Sequence, residues 1–493
     1  MNTLDTTRKI PIVLKYEVAN IIILALLFII THDLSNNWTD FRQKDYLLFA
    51  NVGLILVYIW AIYSWVRINK NLASLYLFFL VASLFFNAGQ TILQFFPDPG
   101  YLYINIYKNY SEHYINKMLT FQMLCIISMN SGAFFSYNLL NKHKTHITTT
   151  PSTILNNQNS KMWDILFYIS SIVMIINDFS QLRLRMQYSY SEYYELRDSV
   201  SIFISAAYFL TFAVYILRHP GDKREQVIAK YIVFIQVGLS LIISNRTNVI
   251  AILAEYLFLM VITKNIIINK KKWPKYFLIS VSLIIVSGII SIVRTQSISN
   301  MLDNLTSINN GSIFKMLGQS IHEMGMSAQT VILTILANDR GVQHQQTILY
   351  NLAESFFPHG ILDALGIFKP SVGKLSAWVT SISGGYGSGL GYSYIAEAYF
   401  DFGMYGFLFT GIYGFAVALL ELISIKMVHK GKLFFPSLIV YILANQIFFA
   451  RAQFDLVTGR IRIVVYLLII YVFVMLVRNR TNLKTSAKNG ELK

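Results

Sequence analysis

Residues 384–424 read GGYGSGLGYSYIAEAYFDFGMYGFLFTGIYGFAVALLELIS. A glycine-rich ribbon runs directly into an apolar stretch, and that stretch is long enough to cross a bilayer, for which ~20 apolar residues suffice. It raises two questions: whether the whole chain is built of such stretches, and why an acid, Glu397, stands where the ribbon gives way to the apolar run.

The rest of the chain repeats the pattern. Hydrophobic residues make up 55% of the 493 and charged residues only 13%, against about 25% charged in a soluble domain. Mean hydropathy is +0.49. Mostly apolar runs lie near 17–32, 46–66, 72–96, 118–140, 162–178, 200–217, 227–243, 248–268, 276–293, 402–424, 433–449 and 462–477. They predict an all-α polytopic membrane protein with about twelve transmembrane helices. The single cysteine, Cys125, sits inside an apolar run, so no intramolecular disulfide is expected. The net charge of +16 is dispersed between apolar runs, which fits membrane topology and not nucleic-acid binding. The first apolar run lacks a small-residue cleavage site and reads as a retained span.

Lysine and arginine in alternate loops set an orientation. Arg67 and Lys70, Lys142 and Lys144, Arg218, Lys223 and Arg224, the KKKWPK run from Lys270, and Lys426, Lys430 and Lys432 fall on one side, expected to be cytosolic. Both termini fall there too. The organisation expected is a nine-span bundle over 1–294, a large extracytoplasmic loop over 295–400, three more spans over 401–478 and a cytosolic tail over 479–493. The large loop carries helical periodicity in FKMLGQSIHEMGMSAQTVILTIL and again in QHQQTILYNLAESFFPHGILDALG, broken at Pro358. Short amphipathic helices forming a cap on the membrane suit that composition.

No P-loop, dinucleotide fingerprint, zinc motif or metal-ligand cluster is present, so no cofactor or metal is expected. Short inner loops leave the outer face for chemistry, and a transferase there needs a donor already activated in the membrane. Arginines stand out on that face: Arg183, Arg185, Arg246, Arg294 and Arg451. A guanidinium fork grips phosphate bidentately; each also has the plainer reading of a helix-end cation snorkelling to the interface. Arg246 lies in LIISNRTNVIAIL, between two apolar runs, with a helix expected from about Asn248 whose amides would favour an anion. Arg294 ends the run FLISVSLIIVSGIISIVR, and Arg451 interrupts the apolar sequence around FFARAQF. Glu397 suits a general base or an orienter of hydroxyls, or simply an acid at a helix N-terminus. His322 and Glu323 in HEMGMS form a second candidate pair, since imidazole titrates near neutral pH. Gly403, Gly406, Gly411 and Gly414 are expected to allow close helix contacts.

Taken in order, SLIISNRTNVIAIL, HEMGMSAQTV, QQTILYNLAESFFP, GLGYSYIAEAYFDFGMYGFL and FFARAQF resemble the oligosaccharide repeat-unit polymerases, the O-antigen polymerase or Wzy family. The resemblance covers roughly 230–465; the first half agrees in hydropathy alone. Ser-Asn precedes Arg246 where the family shows Gly-Ser, and RAQF stands where a shorter acidic run is common, which bears on the role of Arg451. The resemblance implies a membrane glycosyltransferase in the bacterial cytoplasmic membrane. Donor and acceptor are polyprenyl-diphosphate-linked oligosaccharides, with lipid diphosphate as leaving group and a flippase and a chain-length regulator as partners. It assigns Arg246, Arg294 and Arg451 to the donor diphosphate and Glu397, Glu323 or His322 to the acceptor proton. Arg183, Arg185, Tyr386 and Tyr392 then fall to glycan binding. An O-antigen ligase or a lipid-linked glycan flippase are the alternatives; against a flippase stands the lack of two similar halves.

Overall fold

The computed structural model describes residues 12–35, 40–96, 104–141, 160–188, 193, 200–243, 245–263, 313–342, 345–383 and 391–490, and every regular element among them is helical. The first half gives α1 (Ile12–Ser35), α2 (Asp40–Asn69), α3 (Leu75–Leu93), the single turn α4 (Ile106–Asn109), α5 (Glu112–Asn141), α6 (Ser160–Gln187), α7 (Val200–Arg218), α8 (Lys223–Ile242) and α9 (Arg246–Ile262). The second gives α10 (Ile313–Met324), α11 (Ser327–Asp339), α12 (Thr347–Glu354), α13 (His359–Ala364), α14 (Leu375–Ile382), α15 (Tyr394–Phe402), α16 (Gly406–His429), α17 (Phe434–Asn445) and α18 (Asp455–Gly490). Short 3-10 turns, Gly403–Tyr405 and Gln446–Arg451, join α15 to α16 and extend α17.

Eight helices among the described residues are long and apolar enough to cross a membrane: α1, α2, α3, α5, α6, α8, the continuous α15–α16 unit, and α17 with its 3-10 turn. The fuller count expected from hydropathy needs four more. Of these, α9 has only 17 residues, the apolar part of α7, Ile202–Arg218, is equally short, and the run at 462–477 lies within α18. The run at 276–293 lies outside the described residues, as does Arg294.

Helix starts obey local chemistry. Ser74 caps α3 by accepting from Leu77 N at 3.3 Å, Asp222 caps α8 through Arg224 N at 3.0 Å, and Ser393 caps α15 through Ile395 N at 3.2 Å. Each side-chain oxygen satisfies an amide that the first turn leaves without an intrahelical partner. The turn from α2 into α3 has a second brace. Glu421 of α16, wholly buried, accepts from Ser74 Oγ at 2.8 Å, Tyr76 N at 2.9 Å and Asn69 Nδ2 at 3.3 Å. An acid in an apolar helix is thus stabilised by the positive end of another helix.

The packing spine is α5 against α16, with α1 and α2 on the other sides of α5. Small residues make the crossing possible. A Cβ built on Gly132 would sit 2.0 Å from Gly411 O, and one on Gly414 would sit 2.1 Å from Met129 O. Backbone therefore lies on backbone, the close approach expected of Gly411 and Gly414. Gly406 does the same for the bend between α15 and α16, where its Cβ would meet Ala398 O at 2.2 Å. Gly403 acts differently: it ends α15 at φ 57°, ψ −137°, a conformation that side chains disfavour. Replacing Gly414 with valine is expected to force α5 and α16 apart and cost about 1–3 kcal/mol or more, as overpacking does; a fall in the melting temperature of the purified protein checks it.

Candidate active site

The segment of α3 from Ser83 to Leu93 is the wall on which distant parts of the chain meet. A spanning helix facing only lipid would not carry Ser83, Asn87, Gln90 and Thr91, all buried. Ser83 Oγ lies 2.9 Å from Tyr394 OH. Asn87 donates to Ala450 O at 3.1 Å and accepts from Ser393 Oγ at 2.6 Å. Gln90 donates to Ile104 O and accepts from Ile106 N, both at 2.9 Å. Between them Gly89 lets the α10–α11 corner approach: a Cβ there would be 2.6 Å from Ile321 O, and one on Gly325 would be 2.5 Å from Gln90 N. Helices α10 and α11 therefore pack into the bundle against α3, α5 and α15, and α11 is almost entirely buried.

This docking brings two expected residues together. Asn245 caps α9, accepting from Asn248 N at 3.4 Å, so the helix begins at Arg246, two residues earlier than expected, and one first-turn amide is already used. Arg246 Nη1 lies 3.5 Å from Glu323 Oε2. Glu323 is 2% exposed and its neighbour His322 1%, both on the last turn of α10. Sequence spacing alone could not show that the guanidinium of one apolar hairpin faces the acid of the HEMGMS segment.

Arg451 stands at the end of the 3-10 turn, its guanidinium carbon 5.8 Å from the centre of the Phe86 ring on α3. Its carbonyl accepts from Tyr392 N at 3.3 Å. Gly391, at φ 77°, passes beside the Arg451 carbonyl, where a Cβ would be 3.3 Å from that oxygen. For this end of the glycine ribbon the residue type is explained: the chain turns with positive φ while pressed against another backbone. Helix α9, which starts with Arg246, packs on both α3 and the Gln446–Arg451 turn, and α10, which carries Glu323, packs on α3.

Glu397 has a different setting. It is wholly buried, and its two oxygens accept from Phe454 N at 2.5 Å and Thr347 Oγ1 at 3.3 Å. Asp401, one turn on, accepts from Thr347 Oγ1 and Ile348 N, each at 2.7 Å. The two acids of α15 thus hold the N-terminus of α12 on one side and the turn before α18 on the other; they share the one Thr347 hydroxyl proton, which lies closer to Asp401, so the firm donor to Glu397 is Phe454 N.

The glycan-binding expectations scatter. Arg183 is exposed on α6, which packs chiefly on α7 and α8. Arg185 on the same helix is buried, its Nη1 donating to Tyr188 O at 3.0 Å. Tyr392 is buried with its hydroxyl 2.9 Å from Thr334 Oγ1, and burial pushes that hydroxyl well above the usual tyrosine range. It packs α15's entry against α11 and presents no face to a sugar. Tyr386 lies outside the described residues. A cluster that the sequence did not single out forms beside α12: Arg462 Nη2 and His359 Nε2 approach Glu354 Oε1 at 3.0 and 3.2 Å, and Tyr350 OH lies 3.0 Å from His359 Nδ1.

With an arginine–acid pair on a polar helix wall inside a multi-pass bundle, the comparison with known families becomes decisive. The model of the family O-antigen polysaccharide polymerase Wzy matches residues 18–484. The chain belongs to that family. No curated protein and no solved structure matches it. The Wzy match takes in nearly the whole chain, including α2, α3 and α5, where motif resemblance had offered only hydropathy. Membership makes the protein a multi-pass membrane polymerase of polysaccharide repeat units. The contacts of α3 missed from sequence are those of Phe86, Asn87 and Gln90. The two amide side chains, Asn87 and Gln90, in the apolar run of α3 were the available signal.

Proposed function

We propose that the protein joins polyprenyl-diphosphate-linked oligosaccharide repeat units at the outer face of the bacterial cytoplasmic membrane, with both its termini in the cytosol. The acceptor's terminal hydroxyl oxygen attacks the anomeric carbon of the donor glycan. The bond from that carbon to the diphosphate oxygen breaks, and the lipid diphosphate leaves with the bonding pair. Arg246, with Arg451 and Arg294, binds the diphosphate and stabilises the charge that develops on it, the kind of preorganised electrostatic contribution that dominates many enzymes. Glu323 takes the acceptor proton, with His322 beside it. The observation that carries this reading is the Arg246–Glu323 pair at 3.5 Å: a diphosphate drawing on the guanidinium weakens its hold on the carboxylate, which then accepts a proton at the same place. Glu397 is assigned to bracing, because Phe454 N donates to its carboxylate and so ties the turn before α18 to α15.

A flippase delivering the lipid-linked repeat and a regulator of chain length are the partners such a reaction calls for. The test uses purified protein in liposomes supplied with the lipid-linked repeat alone. A ladder of longer glycans, with one lipid diphosphate released for each bond and no nucleotide sugar added, is the expected result. Unchanged glycan length would mean that the protein only moves the substrate, and growth that required a second, chemically distinct acceptor would mean a ligase.

A further inference from the structure

We propose that residues 349–368 form an apolar edge that lies in the lipid headgroup layer and dips into the outer hydrocarbon, holding the α12–α13 segment to the membrane surface. Helix α12 turns Thr347, Ile348 and Tyr350 into the protein. Beyond Tyr350, Leu362 apart, the bulky apolar side chains are exposed: Leu352, Phe356 (53% exposed), Phe357, Ile361, Leu365 (63%) and Phe368 (73%) among them. Scattered exposed apolar residues are ordinary, but so many within one short segment mark a contact surface.

The occupant is set by where the segment is pinned. Ser355 Oγ donates to Thr458 O at 3.1 Å, and Glu354 pairs with Arg462 at 3.0 Å. Both partners lie near the start of α18. The helix then continues into Tyr466, Ile469, Ile470 and Phe473, each more than half exposed, on the run that carries the last apolar span. An apolar groove of about 450 Å³, lined by Phe203, Ile463, Tyr466, Leu467, Ile469 and Ile470, opens along the same side. At 1.5 Å rise per residue, the four positions from Arg462 to Tyr466 cover only ~6 Å. Phe356 and Phe357, next to Ser355 and its partner Thr458, are therefore held within about two helical turns, ~12 Å along α18, of Tyr466 and the exposed apolar side chains that follow it. Lys369 and Lys374 close the segment with cations able to snorkel towards phosphate. A short segment with bulky apolar residues on one side and cations at its end matches the interfacial mode, neither spanning nor remote from the bilayer.

The experiment places a nitroxide spin label at Phe356→Cys and Phe368→Cys of the full chain in phospholipid nanodiscs. Arg340→Cys, on an exposed helix end, serves as the aqueous reference. The one native cysteine, Cys125, is buried, so the label goes to the introduced site. Collisions with oxygen, which concentrates in lipid, should exceed collisions with a water-soluble nickel chelate at 356 and 368, and the order should reverse at 340. If nickel prevails at 356 and 368, the segment sits in water and the proposal is overturned. Exclusion of both reagents also overturns it, since the edge would then be covered by protein. Catalysis plays no part in the readout, so the outcome is independent of the polymerase chemistry.

Discussion

Arg246→Ala is expected to stop chain growth and leave single lipid-linked repeats to accumulate. Losing one preorganised donor at a developing oxyanion typically costs about 10²–10³ in rate, and here the donor also organises its neighbour. Because Glu323 is buried beside it, truncating the arginine leaves an acid in a low-dielectric setting, a change worth about 3–5 kcal/mol in other buried pairs. Two companion variants separate chemistry from folding. Arg246→Lys keeps the charge but loses the bidentate fork, so it should fold and polymerise poorly. Glu323→Gln removes the proton acceptor but keeps an amide oxygen beside Arg246, so it should lower the melting temperature less than Arg246→Ala while turnover collapses. The checks are gel ladders of surface glycan and melting curves of purified variants. Full-length polymer from Arg246→Ala cells would remove the arginine from the site.

Glu397→Ala is expected to act on the frame rather than on the reaction. Removing the carboxylate leaves the Phe454 amide buried without its acceptor, at a cost of about 1–3 kcal/mol, and detaches the turn before α18 from α15. Activity and thermal stability should fall together. Glu397→Gln should restore both in large part, because an amide oxygen can still accept from Phe454 N. A general base would behave in the opposite way: glutamine in its place would preserve stability while turnover dropped by about 10²–10⁴. Comparing the two substitutions by turnover and melting temperature therefore assigns the role, and a stable but inactive Glu397→Gln protein would return Glu397 to the chemistry.

The helical, membrane-embedded class was legible because burial in lipid needs only continuous apolar length, which a sequence displays directly. The glycine crossings at Gly411 and Gly414 were legible for a similar reason, since small residues in a spanning helix have few other uses. The environment of Glu397 was not. Its neighbours Thr347 and Phe454 stand 50 and 57 residues away, and nothing in local spacing says that the acid will tie those two segments together. Glu421 was open to the rule that an acid within an apolar run has a job, yet the job, capping α3, depends on a helix at the other end of the chain. The loop around HEMGMS read as a cap lying on the membrane because its composition is intermediate. Gly89 and Gly325 let α10 and α11 press against α3, and a pair of glycines in separate segments reveals its match only in three dimensions.

The same wiring constrains how the protein is made. Helix α3 is among the first segments to leave the ribosome, but Ser74 is tied to Glu421, Gln90 to Met326 and Asn87 to Ala450, at separations of 347, 236 and 363 residues. Until the later part of the chain has been inserted, its asparagine, glutamine and serines have none of these mates, in a medium that penalises lone polar groups. Packing around α3 is consequently completed late: an early strut must be kept in a provisional berth until the final helices arrive to claim it.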